Sequence, residues 1–206
     1  MKKITLIAGL SVASAVAFAQ VPFTGQLQKR TLDMGSGIGT ELTSTPVYSH
    51  MDSPYVAFAA RGGGLGFDDY TASPNASFAL TEMRFIGGVT AAGGQLRFDF
   101  FDSASVFVTS FTSTFGTAGN FIWSITGLGA LGITLPGSGV MQITALGSTT
   151  GQFFLSNSAA TVGSHVSSVG STTTHQHSFE LSTVPEPGSM MALLGGFALL
   201  ARRRRS

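Results

Sequence analysis

Acidic side chains that could bind a cation are concentrated in one short part of the sequence. Asp68 and Asp69 are adjacent and precede Tyr70, and Asp99 and Asp102 follow on or after a predicted strand. Carboxylate oxygens are ligands that Ca²⁺ prefers, which makes Asp68 and Asp69 candidate calcium ligands. Adjacent side chains of an extended chain point to opposite faces, and the sequence lacks an Asp-x-Asp-x-Asp-Gly loop. Solvated acids in a turn are therefore the competing interpretation.

Three histidines raise the question of a transition-metal site. His175 and His177 are two residues apart, which places both imidazoles on one face of a strand, and His165 precedes them. A complete site needs further ligands, but no carboxylate lies between Ser103 and Phe179. The pattern therefore favours exposed polar histidines beside a Ser/Thr-rich loop, without a metal.

One pair of carboxylates could serve glycoside hydrolysis if both pointed into a cleft. Glu82 and Asp99 each lie on a predicted strand among apolar neighbours, with Arg84 and Arg97 two residues away on the same faces. Cross-strand ion pairing explains these four residues more simply. Since the sequence also lacks Gly-x-Ser-x-Gly and keeps its acids and histidines in separate halves, we expect no enzyme, no catalytic residue and no cofactor.

Two glycine motifs are better explained as turns. The segment 127–132 reads Gly-x-Gly-x-x-Gly, but Pro136 and Gly137 follow it where a dinucleotide site needs a helix. The segment 135–139, Leu-Pro-Gly-Ser-Gly, is far from the C-terminal end of the sequence and lacks the apolar and basic tail of a sortase signal.

Composition excludes further classes of function. The chain has no cysteine, which excludes disulfides, a thiol nucleophile and thiolate metal sites. Between Gln20 and Val184, five basic residues stand against nine acidic ones, a net formal charge of −4. A mildly acidic body without basic clusters is not that of a nucleic-acid-binding protein.

Alternating apolar residues predict an all-β fold. The clearest strands are 95–100, 121–125, 140–145 and 178–182, and weaker ones are 55–59, 83–86, 106–109 and 152–155. One further short candidate strand lies near 26–32. Gly-containing turns are predicted between them at 87–88, 91–94, 117–120, 136–139 and 146–148. About eight short strands at roughly ten-residue spacing predict an antiparallel β-sandwich.

The N-terminal residues are typical of a secretory signal peptide. Lys2 and Lys3 form a positive start, an apolar stretch follows, and Ala17 and Ala19 form a small-x-small cleavage site before Gln20. The sequence thus predicts a signal peptide over 1–19, removed by signal peptidase, and an exported domain over 20–183.

The C-terminal residues 184–206 have three parts in a fixed order. Val184, Pro185, Glu186 and Pro187 form an extended segment, because proline fixes φ and disfavours helix before it. An uncharged stretch follows at 188–201, about 21 Å long if helical, short of a ~30 Å hydrocarbon core. The last part is a run of four arginines: Arg202, Arg203, Arg204 and Arg205. The positive-inside bias is expected to keep these arginines on the cytoplasmic side of the membrane, where they form a cytoplasmic stop.

This tail resembles the PEP-CTERM sorting signal, which an integral-membrane exosortase recognises and processes. The resemblance covers residues 184–206 and implies transient anchoring in the inner membrane, then release to the cell surface or extracellular matrix of a Gram-negative bacterium. The succession from Gly66 to Asp102 also resembles the jelly-roll domains of such proteins. A permanent tail anchor is the alternative.

Two functions from different classes remain. The first is a non-catalytic, exosortase-processed surface or matrix protein associated with exopolysaccharide and biofilm, as the resemblance implies. The second is a carbohydrate-binding module on a jelly-roll scaffold, calcium-dependent through Asp68 and Asp69. For this second function the hydroxyl-rich surface is expected to expose aromatic rings for stacking on sugars: Tyr48, Tyr55, Phe67 and Tyr70.

Overall fold

A computed structural model describes the chain over residues 27–30, 44–51, 55–62, 65–156, 158–166 and 176–184. The predicted signal peptide at 1–19 and the sorting segment beyond Val184 lie outside these residues. Fourteen strands are present in the described part: β1 Leu27–Arg30, β2 Thr45–Ser49, β3 Tyr55–Gly62, β4 Leu65–Thr71, β5 Phe78–Ala79, β6 Glu82–Val89, β7 Gly94–Asp102, β8 Phe107–Phe115, β9 Gly119–Thr126, β10 Thr134–Leu135, β11 Ser138–Leu146, β12 Thr150–Ser156, β13 Gln176–His177 and β14 Phe179–Thr183.

The strands form two main antiparallel sheets. The smaller sheet has the order β4-β11-β7-β8. In the larger sheet, β1, β9 and β6 lie side by side, and the other edge of β6 is shared by β12 and β14. Next to these lie β3 and β2, while β13 pairs with the end of β12.

Period-two alternation places the apolar residues between the sheets. In β7, Leu96, Phe98 and Phe100 are fully buried on one face, as predicted. In β11 the buried and half-buried residues alternate without interruption, again as predicted. The Phe85 ring of the larger sheet lies 5.6 Å from the Phe98 ring of the smaller one, edge to face, so the two sheets share one aromatic core. The predicted antiparallel β-sandwich is confirmed.

The prediction of a turn at Gly87 and Gly88 is wrong, because both residues lie inside β6. They sit where β9 and β12 approach β6 from its two edges. A Cβ on Gly87 would overlap the carbonyl of Gln152, and one on Gly88 would overlap the carbonyl of Gly119. Glycine here allows close approach of backbones within the sheet.

The segment 127–132 is a turn, as predicted. Gly127 and Gly132 have φ of 82° and 62°, in the left-handed region, and flank a short 3-10 helix at Leu128–Leu131. Positive φ favours glycine at both positions. The chain then enters β10, so no α-helix follows the glycine motif.

Candidate functional site

Asp68 joins the two sheets at one end of the sandwich. Its side chain points inward from β4 and is 1% exposed. Oδ1 accepts the Asp69 backbone N–H at 2.9 Å, and Oδ2 accepts the His177 backbone N–H at 2.5 Å. The Gln176 amide faces the same carboxylate, and in the amide orientation that satisfies its hydrogen bonds the NH₂ group donates to Oδ2 at 2.7 Å. One carboxylate thus binds β13 to β4.

Asp69 points to the opposite face, as alternation predicts. Its Oδ2 accepts the Val166 backbone N–H at 2.6 Å, while its Oδ1 is buried without a hydrogen-bond partner among the described residues. Burial raises the pKa of Asp69, and the nearby Asp68 carboxylate adds to that rise.

Both acids are buried, so the interpretation of Asp68 and Asp69 as solvated turn acids is wrong. Within the described ranges, no three His, Asp or Glu side chains are grouped closely enough to hold a metal ion. The role of Asp68 and Asp69 as calcium ligands remains a prediction.

The expectation that His177 is exposed is wrong. The imidazole is 3% exposed and lies edge-on to Phe153, 5.9 Å between ring centroids. Its Nδ1 lies 3.5 Å from Asp68 Oδ2. Neither ring nitrogen makes a hydrogen bond within the described part of the chain. His175, the other member of the predicted pair, lies outside the described residues.

His50 and His165 complete an acid–histidine cluster, which we define as Tyr48, His50, Asp68, His165 and His177. The His50 and His165 ring centroids are 4.7 Å apart. The ring nitrogens of His50 face two backbone carbonyls, that of His177 at 3.2 Å from Nδ1 and that of Ser158 at 3.1 Å from Nε2. Tyr48 Oη lies 3.3 Å from His165 Nδ1.

Burial dominates the electrostatics of this cluster. It lowers the pKa of His50, and the neighbouring His165 lowers it further, against opposing contributions from the His177 and Ser158 carbonyls and from Asp68. Burial also lowers the pKa of His165, where Asp68 acts in the opposite direction. The pKa of Tyr48 is raised, first by burial and then by the two adjacent carboxylates. The lowered pKa values favour the neutral imidazole of His50 and of His165 at pH 7.

The segment 158–166, which we call the strap, closes the same end of the sandwich. Its Val162 pairs with Ser49 of β2 in the larger sheet, and its Ser164 pairs with Thr71 of β4 in the smaller sheet. Backbone hydrogen bonds of 2.8–3.4 Å hold both contacts. The strap therefore pairs with the last residue of β2 and the last residue of β4, and it places His165 beside His50.

The charged residues of β6 and β7 do not pair with each other, contrary to the prediction. Arg84 instead binds Glu180 of β14, with 3.3 Å between Nη1 and Oε1. In β7, Arg97 binds Asp99 of the same strand at 2.9 Å. Glu82 alternates with core residues of the larger sheet, and Asp99 alternates with core residues of the smaller sheet. The two carboxylates therefore lie on opposite outer faces of the sandwich. They do not converge on one cleft.

Hydroxyl groups complete the buried polar row on the outer face of the larger sheet. Ser49 Oγ donates to Glu180 Oε2 at 2.7 Å, and Ser44 Oγ donates to Glu82 Oε2 at 2.6 Å. Glu82, Arg84 and Glu180 are all less than 10% exposed. No local sequence pattern indicates these pairings, because Arg84 and Glu180 are 96 residues apart.

The expectation that Tyr48 and Tyr70 are exposed is also wrong. Tyr48 is 0% and Tyr70 is 1% exposed, and their rings lie 6.2 Å apart in the core. Tyr70 Oη donates to the Pro136 carbonyl at 3.3 Å. The side chains of Tyr55 and Phe67 lie outside the described set. In the described part, the large apolar side chains that are exposed are all valines: Val106, Val108, Val166 and Val184.

The described body is thus an antiparallel β-sandwich with a buried acid–histidine cluster, and its last strand leads into the C-terminal segment. That segment, residues 183–205, matches the family model of the PEP-CTERM protein-sorting motif. The match supports an exported protein that is sorted at the membrane to the cell surface, with exosortase as its processing partner.

The rest of the chain has no counterpart in the other comparisons. No curated protein and no solved structure matches it significantly. None of the helices in the described residues has the length and apolar character needed to cross a membrane.

Proposed function

We propose that this chain is a non-catalytic surface or extracellular-matrix protein of a Gram-negative bacterium, associated with exopolysaccharide and biofilm. The observation that carries the proposal is the sorting motif at 183–205. Exosortase is proposed to cut near Pro185–Pro187 after signal peptidase has removed residues 1–19. The product then leaves the inner membrane for the cell surface or matrix.

The position of the motif supports release of a folded body. The last described strand, β14, ends at Thr183, and the following Val184 is 53% exposed. Within β14, Phe179 and Leu181 are fully buried and the strand pairs with β6 and β2. A cut near Pro187 would therefore leave every described strand in the released product.

The placement of the carboxylates supports a role without catalysis. Glu82 and Asp99 occupy opposite outer faces, and Arg97 already binds Asp99. Asp68 accepts two backbone N–H groups and holds strands together. A glycosidase needs two carboxyl groups on either side of one bond, and these residues have structural partners instead.

The proposal is tested by replacing Pro185, Glu186 and Pro187 with three alanines in the full chain, expressed in a host that carries its exosortase. We expect a longer protein retained in the membrane fraction. The matched control replaces the four arginines at 202–205 with lysines, which keeps the positive charge and should allow processing. Normal processing and release of the triple-alanine variant would contradict the proposal.

The carbohydrate-binding alternative retains one observation in its favour. Asp69 Oδ1 is a buried carboxylate oxygen without a partner among the described residues, and a cation would satisfy it. Calcium takes 6–8 oxygen ligands, however, and the other Asp68 and Asp69 oxygens already accept backbone N–H groups. Retention on the producing strain's polysaccharide, with and without a chelator, tests this alternative; loss of retention with chelator would support it.

A further inference from the structure

The two outer faces of the sandwich differ in how far solvent reaches them. On the larger sheet, the outward-facing Arg84 and Ile86 of β6 are 6% and 1% exposed. On the smaller sheet, the outward-facing Arg97 side chain is 34% exposed, and the neighbouring Gln95 and Thr114 are exposed as well. A ligand of the folded body can therefore reach the outer face of the smaller sheet.

Polar side chains from three adjacent strands lie together on that face. Residues paired across an antiparallel sheet point to the same side. Along β7, Arg97 and Asp99 face outward, and each is flanked by one residue of β11 and one residue of β8. We define the polar platform by these two rows, each written in the order β11, β7, β8: Thr144, Arg97 and Thr112, then Gln142, Asp99 and Ser110.

The polar platform keeps hydrogen-bonding groups that the described residues do not use. Arg97 donates through Nε to Asp99 Oδ2 at 2.9 Å, and its two NH₂ groups make no hydrogen bond within the described part of the chain. Gln142 Nε2 makes long hydrogen bonds to Asp99 Oδ2 and Thr144 Oγ1, 3.4 and 3.5 Å, and its Oε1 accepts none from the described residues. The platform therefore presents guanidinium donors beside an amide acceptor and hydroxyl groups.

An apolar border lies next to the platform. Phe101 follows Asp99 on the same face of β7 and pairs with Val140 of β11, and the Phe101 and Val140 side chains are both half-buried. A sugar ring carries C–H groups on its faces and hydroxyl groups around its edge, so it can contact apolar and polar side chains at the same time. Binding sites for small molecules combine apolar contacts with a few placed polar groups in the same way.

The charges on this face argue against other classes of ligand. Arg97 and Asp99 neutralise each other, and Asp69 faces the same side from β4. With a net formal charge of −4 over residues 20–184, the body repels nucleic acids and acidic polymers. A stable protein partner requires an apolar interface core rich in aromatic residues, whereas the platform itself is entirely polar.

We propose that the polar platform binds a neutral polysaccharide. The NH₂ groups of Arg97 and the amide of Gln142 bind sugar hydroxyls, each of which both donates and accepts hydrogen bonds. Phe101 and Val140 contact the face of a sugar ring. The site uses no cation, which separates it from the calcium-dependent alternative. This inference rests on the proposed association with exopolysaccharide and assigns a site to it.

Two substitutions on the platform test the site. Gln142→Leu removes the amide but keeps a side chain of similar size, and Arg97→Lys keeps a positive charge beside Asp99 but loses the planar fork of N–H groups. Each variant is made as the full chain in its native host, and calorimetric titration measures its affinity for neutral polysaccharide isolated from that host. We expect each substitution to weaken binding about tenfold, as for the loss of one or two hydrogen bonds.

Gln152→Leu is the matched control, because Gln152 is a half-buried glutamine on the outer face of the larger sheet. This substitution should leave the affinity unchanged, and thermal melting verifies that all three variants are folded. Binding by the natural protein should also persist in the presence of a chelator and in about 0.5 M salt, where attraction between charges is screened.

Four results would overturn the inference. They are unchanged affinity of either platform variant, an equal loss of affinity in Gln152→Leu, loss of binding by the natural protein with chelator or salt, and no binding by the natural protein at all. The first three leave the association with polysaccharide in place and reject only this site. The last also rejects that association, while sorting through the C-terminal motif is measured separately by the mass of the processed protein.

Discussion

Replacing Asp68 with asparagine should destabilise the protein strongly, because both carboxylate oxygens are used as acceptors. Oδ1 accepts the Asp69 N–H and Oδ2 accepts the His177 N–H. An amide has only one acceptor oxygen, so one N–H would face an NH₂ group. A buried N–H left without a partner costs about 1–3 kcal/mol, and the remaining bond loses its charge. We expect the free energy of unfolding to fall by about 2–4 kcal/mol.

The matched control is Asp102→Asn. Asp102 also accepts two backbone N–H groups, those of Ala104 and Val106, but both bind Oδ1. Asparagine can keep both bonds with its single oxygen, so the cost should stay within about 0.5 kcal/mol, as for an ordinary surface substitution. Urea unfolding at pH 7 measures both: the Asp68→Asn midpoint should fall by roughly 1–2 M at an unchanged slope. Equal costs for the two variants would refute the account of Asp68 as a cross-sheet acceptor.

Three further predictions concern the buried charges and the sheet. Burial lowers the pKa of His50 and His165 in the folded protein. Below about pH 6.5 the unfolded chain therefore binds more protons than the folded protein, and the free energy of unfolding should fall. Urea titrations between pH 7.5 and 5.5 measure this decrease. Arg84→Met should lower the free energy of unfolding by about 3–5 kcal/mol, because Glu180 is left as a buried charge without its ion-pair partner. The double variant Arg84→Met/Glu180→Leu should recover most of that loss. Chemical denaturation measures both variants. Gly88→Ala should destabilise the protein severely, because the added Cβ overlaps a carbonyl of β9; thermal melting measures it.

Each of these predictions has its own control. His50→Gln should flatten the pH dependence, and an unchanged slope would contradict the assignment to this residue. If Arg84→Met/Glu180→Leu is no more stable than Arg84→Met alone, the unpaired Glu180 charge is not the cause of the lost stability. Gly116→Ala adds a Cβ with nothing within 4 Å. If it cost as much as Gly88→Ala, the overlap would not explain the loss.

The strands could be predicted from the sequence because their signal is local. Side chains alternate along a strand, so Leu96, Phe98 and Phe100 identified the buried face of β7 without knowledge of its neighbours. The same reasoning failed at Gly87 and Gly88. There, glycine reflects the close approach of two other strands and not a turn, which no local pattern reveals.

The acid–histidine cluster could not be predicted because its members meet only in the folded chain. Asp68 and His177 are 109 residues apart, and Tyr48 and His165 are 117 apart. Polar residue types indicated exposure, whereas the fold buries them and supplies backbone partners. The sequence signals for a cluster are the adjacent acids at 68–69 and the presence of His50, His165 and His177. These signals do not indicate how the residues are arranged.

Mass spectrometry of the intact protein, recovered from the envelope and medium of its native host, tests the central claim most directly. The account predicts a product that lacks residues 1–19 and the segment from about Gly188 to Ser206, found outside the inner membrane. Its mass would correspond to the folded sandwich with the Pro185–Pro187 region at or near its new end. A protein that keeps its C-terminal arginines and stays in the membrane would contradict exosortase processing.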